Sequence, residues 1–373
     1  MPTEQSSAER PGGSELRGEV VYLYAFDVAN EIRLERAAEL LGSQSQPFAA
    51  RGDRPAPRDV PLARPLCVEL PPLATQLRGS PLQLFVRVYE VGVISVILRV
   101  AVAGDTLAEF APFHTPTLDD GRLLDALARE QCEEVQRRLA DSLVSANSET
   151  EPEAYTVFCL THLGKARDTN KWLAERSREV AGLLTETPCE RLSESQVSEV
   201  LRLKRSFENT DLVVIDWDAA LIVDLDGYAE DVLFVLELAN LQLEEFRWMD
   251  SSLDRYLERA YVDLGRRRWW RFGYMGSVLE TLRRLRVDLT KLADEVTHTT
   301  KFIGDWHLAR VYVLARERFH LDQWRASVEQ RLAELDRLYT LTRGDVYERR
   351  MLWLEVIIVI FFAIDLVVLF FKK

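Results

Sequence analysis

The run Val214–Tyr228, VIDWDAALIVDLDGY, is the stretch on which the fold turns. Leu212–Asp216 and Ala219–Asp224 are β-rich and flank Trp217-Asp218, so they read as a short strand pair. Aspartates recur as D-x-D at Asp216/Asp218 and at Asp224/Asp226, and Gly227 follows the second pair. If the run is a hairpin, the acids sit at its ends and Asp226-Gly227 closes the strand before a helix. If it is instead the edge of a parallel sheet, the acids mark a catalytic strand end and more strands must follow.

Upstream, Val20–Phe26 (VVYLYAF) reads as a strand and Val28–Leu41 as a helix, with Gly42 at its end. Residues 43–65 are rich in proline and arginine and read as a loop. Leu82–Glu90 and Val93–Ala103 read as two strands meeting at Val91-Gly92, Leu118–Leu143 as a helix, and Tyr155–Thr161 as a strand. The order β-α-β-β-α-β predicts an α+β fold with a ferredoxin-like (split βαβ) domain over 19–165, behind a disordered leader at 1–18. Residues 166–227 then form a helical connector plus the hairpin. Ser193 and Gln196 form a capping box for one of its helices.

Downstream the period changes. Val232, Leu236, Ala239, Leu243, Phe246, Asp250, Leu253, Leu257, Ala260 and Leu264 follow 4-3 spacing. The same spacing recurs from Val278 to Ile303 and from Val328 to Val346. Residues 228–350 are therefore expected to form an antiparallel stalk of long, coiled-coil-like helices. Its first helix would be about 50 Å long at 1.5 Å per residue. Met351–Phe371, MLWLEVIIVIFFAIDLVVLFF, is 21 residues long and reads as one C-terminal transmembrane helix.

The net charge of −13 argues against a general nucleic-acid binder. Cys67, Cys132, Cys159 and Cys189 show no metal-ligand spacing and read as thiols in a reducing compartment. The N-terminus lacks the apolar segment of a signal peptide. The expected placement is a single-pass, tail-anchored protein of a bacterial inner membrane, with its bulk in the cytoplasm.

Three features are candidates for function. A strand ending in D-x-D-G resembles the way haloacid-dehalogenase phosphatases set a nucleophilic aspartate and an acid beside Mg²⁺, which would use Asp216, Asp218, Asp224 or Asp226. Heptad helices follow where that fold needs more strands, so the hairpin reading is preferred. The loop Gly265–Gly276 interleaves Arg266, Arg267, Arg268 and Arg271 with Trp269 and Trp270. Such a loop suits a lipid headgroup zone, a ribosome or RNA, or the cap of the stalk core. Glu355 and Asp365 fall inside the apolar run, where charge is costly. They would serve intramembrane association with another copy or another membrane protein. No cofactor, metal site or small-molecule substrate is indicated.

The run Arg349–Asp365, with Trp306–Tyr339 ahead of it, resembles the C-terminal part of the "required for meiotic nuclear division" proteins. These have an Arg/Leu-Glu lead-in, an isoleucine-rich span and a second acid ten residues on, as Glu355 and Asp365 stand here. The resemblance covers about the last 150 residues. It implies an α/β N-terminal part, a helical stalk, a single C-terminal anchor and, from the mitochondrial members, support of translation at the inner membrane. It implies no catalytic residues. The leading functional expectation is a non-enzymatic, membrane-anchored scaffold or tether with a partner-binding domain. A ribosome- or RNA-binding factor and a metal-dependent phosphatase are the alternatives.

Overall fold

The structure is a computed structural model and describes residues 15–47, 65–146 apart from 69 and 72, 151–225, 229–265, 287 and 306–371. It divides into two compact units, Met1–Phe246 with Asp294–Asp322, and Arg247–Ala293 with Gln323–Lys373.

The strands are β1 Leu16–Asp27, β2 Ala29–Ile32, β3 Ser45–Pro47, β4 Leu66–Val68, β5 Gln76–Leu77, β6 Ser80–Val88, β7 Val93–Gly104, β8 Leu143–Ala146, β9 Glu153–Leu163, β10 Lys204–Arg205, β11 Asp211–Ile215 and β12 Ala219–Asp224. The α-helices are α1 Leu34–Leu41, α2 Leu124–Arg138, α3 Thr169–Glu175, α4 Ser177–Leu184, α5 Glu194–Val200, α6 Ala229–Gly265, α7 Trp306–Arg318 and α8 Leu321–Phe371.

The first unit is built on a ten-stranded sheet in the order β10-β11-β12-β9-β1-β7-β6-β4-β3, with β5 paired to β6. Neighbours run antiparallel except β9 and β12, which are parallel, with Leu221 opposite Phe158. β1 is central and is hydrogen-bonded along its length to β7 and β9. Its alternate residues Val20, Tyr22, Tyr24 and Phe26 join a core with Leu41 of α1, Leu127 and Val135 of α2 and Val180 of α4. Ala25 joins Tyr89, Val93 and Leu241 of α6 in a separate cluster. A strand covered on both faces reads as an unbroken apolar run, and VVYLYAF does. Where β1 passes β9, the pairing slips at Arg17/Gly18. A Cβ at Gly18 would lie 1.8 Å from the Cys159 carbonyl oxygen, so only glycine permits this approach.

α6 is fastened to the sheet by charge. Arg87 pairs with Glu237, and the Tyr89 hydroxyl donates to the Glu237 carboxylate at 2.9 Å. Arg99 Nη2 donates to Glu230 at 2.8 Å. Asn240 Nδ2 donates to the Glu153 carbonyl at 3.1 Å. Glu237 is almost wholly buried, so Arg87 and Tyr89 must neutralise and satisfy it.

These observations correct the expected fold class. The strands read at 20–26, 82–90, 93–103 and 155–161 are neighbours in the order β9-β1-β7-β6. The sheet does not close as a ferredoxin-like domain at 165, however. It continues through the parallel β9–β12 pair into the hairpin assigned to the connector, and it gains β4 and β3 on the other side. All six residues of β12 are buried, as an interior strand requires.

The heptad stripe also has a different partner from the one expected over its first half. Within the first unit, Val232, Leu236, Ala239, Leu243 and Phe246 are buried in a helix fastened to the sheet rather than in a helical stalk. A 4-3 spacing specifies a buried stripe, and a sheet face satisfies it as well as a helix does. In the second unit, Leu253 and Leu257 of α6 and Val328, Leu332 and Leu335 of α8 are buried. Asp250, the polar residue in that stripe, accepts from Ser327 Oγ at 3.2 Å and from Arg331 Nε at 2.9 Å. The proposed second stalk helix, 278–303, lies outside the described residues apart from Val287. The expected third helix is interrupted at Phe319-His320, where His320 has a φ of 51°.

The transmembrane helix over 351–371 is corrected as well. Among the described residues, no helix is long and apolar enough to cross a membrane. The described side chains of that stretch run from Leu354 to Phe362, with Ile364, and include the charged Glu355. A carboxylate among them opposes burial in hydrocarbon. The tail-anchored, single-pass assignment and the inner-membrane placement rested on that span and are withdrawn with it. So is the intramembrane role given to Glu355, which is exposed on α8, and to Asp365, whose side chain lies outside the described residues.

Candidate functional site

The β11–β12 hairpin turns through two residues, Trp217 and Asp218. The turn closes where Asp216 N donates to the Ala219 carbonyl at 2.9 Å. Two contacts from β9 tie it down: Thr156 N donates to the Asp218 carbonyl at 3.1 Å, and the Tyr155 hydroxyl donates to the Asp216 carbonyl at 2.9 Å. The strands are buried, so the turn projects its two central side chains outward. Trp217 is 45% exposed.

A cleft of about 500 Å³ opens beside the tip, lined by Leu184, Thr185, Glu186, Gln196, Glu199, Val200, Asp216, Trp217, Asp218 and Arg318. Four segments meet there: the end of α4, the helix α5, the hairpin tip and the end of α7. Ser193 caps α5 by accepting from Gln196 N at 3.2 Å, as the spacing indicated.

Arg318, the last residue of α7, locks the floor. Its Nε donates to the Ile215 carbonyl at 3.1 Å. Its Nη2 donates to the Glu199 carbonyl at 3.0 Å and the Val200 carbonyl at 3.4 Å. Its Nη1 stands 3.3 Å from Asp216 Oδ1 and 3.6 Å from Glu199 Oε1. One buried guanidinium therefore satisfies carbonyls at the end of α5, the end of β11 and the Asp216 carboxylate together. Burial pushes the Asp216 carboxyl above its ordinary range, while the Arg318 charge opposes that shift.

Beneath the cleft, the His114 ring packs against Phe158 with centroids 4.9 Å apart. Its Nε2 meets the Leu183 carbonyl, and its Nδ1 stands 3.1 Å from Glu186 Oε1. Beside the tip, the Trp217 and His320 rings lie 5.0 Å apart.

Four carboxylates and one guanidinium line the cleft, and the guanidinium is committed to Asp216 and backbone carbonyls. The cleft is therefore electronegative, with an exposed indole on its rim. Its chemistry suits a cationic group, which an indole face and nearby carboxylates both attract.

Of the aspartates singled out in the sequence, Asp216 and Asp218 line this cleft. Asp224 does not: it lies at the far end of β12, opposite Asp211. Six residues of strand place it roughly 20 Å from Asp218. Asp226 lies outside the described residues, as do Arg266, Arg267, Arg268, Trp269, Trp270 and Arg271. No group of three or more His, Cys, Asp or Glu side chains is placed to hold a metal ion among the described residues.

Sequence reasoning missed Arg318, Glu199, Glu186 and His114. Arg318 carried a usable signal. It continues the stripe Val311, Ala315 on α7, and an arginine on a buried stripe calls for a buried acceptor. The other three come from separate segments with no shared spacing.

The fold and site define a mixed α+β protein built on a large sheet, with an acidic, tryptophan-rimmed cleft at a hairpin tip. Residues 17–230 match the family described as "Uncharacterized protein MJ0711, N-terminal domain", and the chain belongs to that family. The matched segment runs from within β1 to just past β12, so it includes the hairpin, and it ends largely ahead of the C-terminal stretch that carries the other resemblance. The chain is similar to the uncharacterized protein MJ0711 of Methanocaldococcus jannaschii, 23% identical over 240 residues that cover 63% of this chain and 72% of the relative. No solved structure matches it.

Proposed function

We propose that this chain is a non-enzymatic partner-binding module whose docking point is the cleft at the β11–β12 tip, and that its partner is a protein presenting a cationic side chain from a basic segment. The observation that carries this reading is Trp217. It is 45% exposed at the end of a hairpin whose strands are buried, and it borders a cleft of about 500 Å³. Tryptophan at an exposed, concave site is characteristic of interface anchors. The surplus of carboxylates selects the sign of the ligand, and a lysine or arginine side chain could lie against the indole while its head group reaches Asp218.

The phosphatase alternative has less support. Its aspartates would have to converge, whereas Asp218 lies in the turn and Asp224 at the far end of β12. Asp216 is occupied by Arg318. The RNA alternative rested on residues 266–271, which are not described.

Calorimetry with an acetylated, amidated tetra-arginine peptide tests the proposal on the full chain. Binding that weakens with added salt and is lost in Trp217→Ala supports it. Absence of binding to the wild-type chain removes it.

A further inference from the structure

The His114–Glu186 contact carries a consequence for the cleft. The Leu183 carbonyl can only accept, so the Nε2 that meets it must bear a proton. In a neutral ring Nδ1 is then a lone pair, yet it stands 3.1 Å from a carboxylate oxygen of Glu186. Two acceptors at that distance repel. Both contacts are satisfied together only when a second proton sits between Nδ1 and Oε1. The ring side chain is 3% exposed, so water does not readily replace either partner.

Glu186 is held in an uncommon state. Its φ is 52°, in the left-handed region that a residue with a Cβ rarely adopts. Its neighbours in the turn after α4 are fixed, with Thr187 N donating to the Gly182 carbonyl at 3.0 Å and Thr185 Oγ1 donating to the Ala181 carbonyl at 2.8 Å. The side chain itself is half-exposed and lines the cleft. The ionisable groups facing the ring are Glu186, from that turn, and Asp218, from the hairpin tip, while β9 presents Phe158.

We propose that the His114 proton gates the cleft: when it is present, Glu186 is tethered to His114 and its charge is neutralised, and when it leaves, Glu186 is released to the cleft as an unpaired carboxylate. No bond is made or broken apart from loss of that proton to solvent. The cleft gains one negative charge as pH rises through the His114 midpoint, so a cationic ligand binds more tightly above it. This last step rests on the cationic-ligand reading; the coupling between His114 and Glu186 does not. Burial favours the neutral ring and pushes its midpoint below the ordinary histidine value, while the hydrogen bond to the Leu183 carbonyl and then the charges of Glu186 and Asp218 oppose that shift.

The test is a titration of the His114 ring nitrogens by ¹H–¹⁵N NMR on the full chain without ligand, in the wild type and in Glu186→Gln. Glu186 is exposed enough for the variant to fold. The expected result is a downward shift of the His114 midpoint in Glu186→Gln, because the opposing carboxylate is gone. The Nδ1 resonance should report protonation in the same step in which the wild-type midpoint is crossed. An unchanged midpoint overturns the gate. Failure of a tetra-arginine peptide to bind, with the midpoint shift intact, overturns the cationic-ligand reading and leaves the gate standing.

Discussion

Arg318 Nη1 stands 3.3 Å from Asp216 Oδ1, joining the last residue of α7 to the residue at which the hairpin begins to turn. The same guanidinium donates to the carbonyls of Ile215, Glu199 and Val200. The cleft beside the turn therefore has its floor set by a residue remote in sequence from every other lining residue. Removing it leaves a buried carboxylate and several carbonyls without their donor.

Arg318→Met should accordingly cost on the order of 3–5 kcal/mol, the range for breaking one side of a buried ion pair. Urea denaturation of the full chain measures this. A loss below about 1 kcal/mol would show that water replaces the guanidinium, and that the floor is not built as described.

Asp216 gives a pH dependence. Its carboxyl is raised from the ordinary value of 3.8, chiefly by burial. The folded chain therefore holds that proton more tightly than the unfolded chain does. Across the window from the ordinary value up to the raised one, the folded state binds more protons, so this group's contribution to stability falls as pH rises. Asp216→Asn should remove that slope. Thermal unfolding of both chains at steps from pH 3.5 upward checks it, and parallel curves would contradict it.

A second buried acid, Glu237, depends on its partners on the sheet. Glu237 is held by Arg87 and by the Tyr89 hydroxyl at 2.9 Å. Tyr89→Phe removes one neutral donor and should cost about 1–2 kcal/mol. Arg87→Ala removes the counter-charge and should cost more, about 3 kcal/mol or above. Chemical denaturation ranks the two, and the reverse order would count against the assignment of the pair.

The thiols offer a simple chemical check. Burial pushes Cys132 up to about 12 and raises Cys159 well above its ordinary value. Cys189, by contrast, is raised mainly by its hydrogen bond to the Glu190 carboxylate and is not buried in the core. Thiol labelling of the native chain at pH 8 should modify Cys189 well before Cys132 or Cys159, as mass spectrometry of peptides would show. Equal labelling would mean that the sheet core is open.

Much of the sheet was legible in the sequence because its strands are continuous apolar runs: VVYLYAF, the runs around Val91-Gly92, and Leu212–Asp224. Its extent was not. Nothing local states that β12 lies beside β9 in parallel, since that pairing is decided by long-range burial. The stripe Val232–Phe246 marked a buried helical face, but a stripe does not say whether a sheet or a helix covers it. The apolar C-terminal run predicted a membrane span on hydropathy alone. At the site, Asp216 and Asp218 were visible as a motif. Arg318 gave only the faint signal of a charge on a buried stripe, and His114 and Glu186 meet through the fold with no pattern to announce them.

The most direct test of the account is calorimetric titration of an acetylated, amidated tetra-arginine peptide into the full chain, the Trp217→Ala chain and the Asp218→Asn chain, at two salt concentrations. Trp217 and Asp218 are exposed, so both variants should fold. The expected result is wild-type binding that weakens at high salt and falls by about tenfold or more in either variant, a loss of about 1.4 kcal/mol. Equal binding by all three chains, or none by the wild type, would contradict the proposal that the hairpin-tip cleft is the docking point.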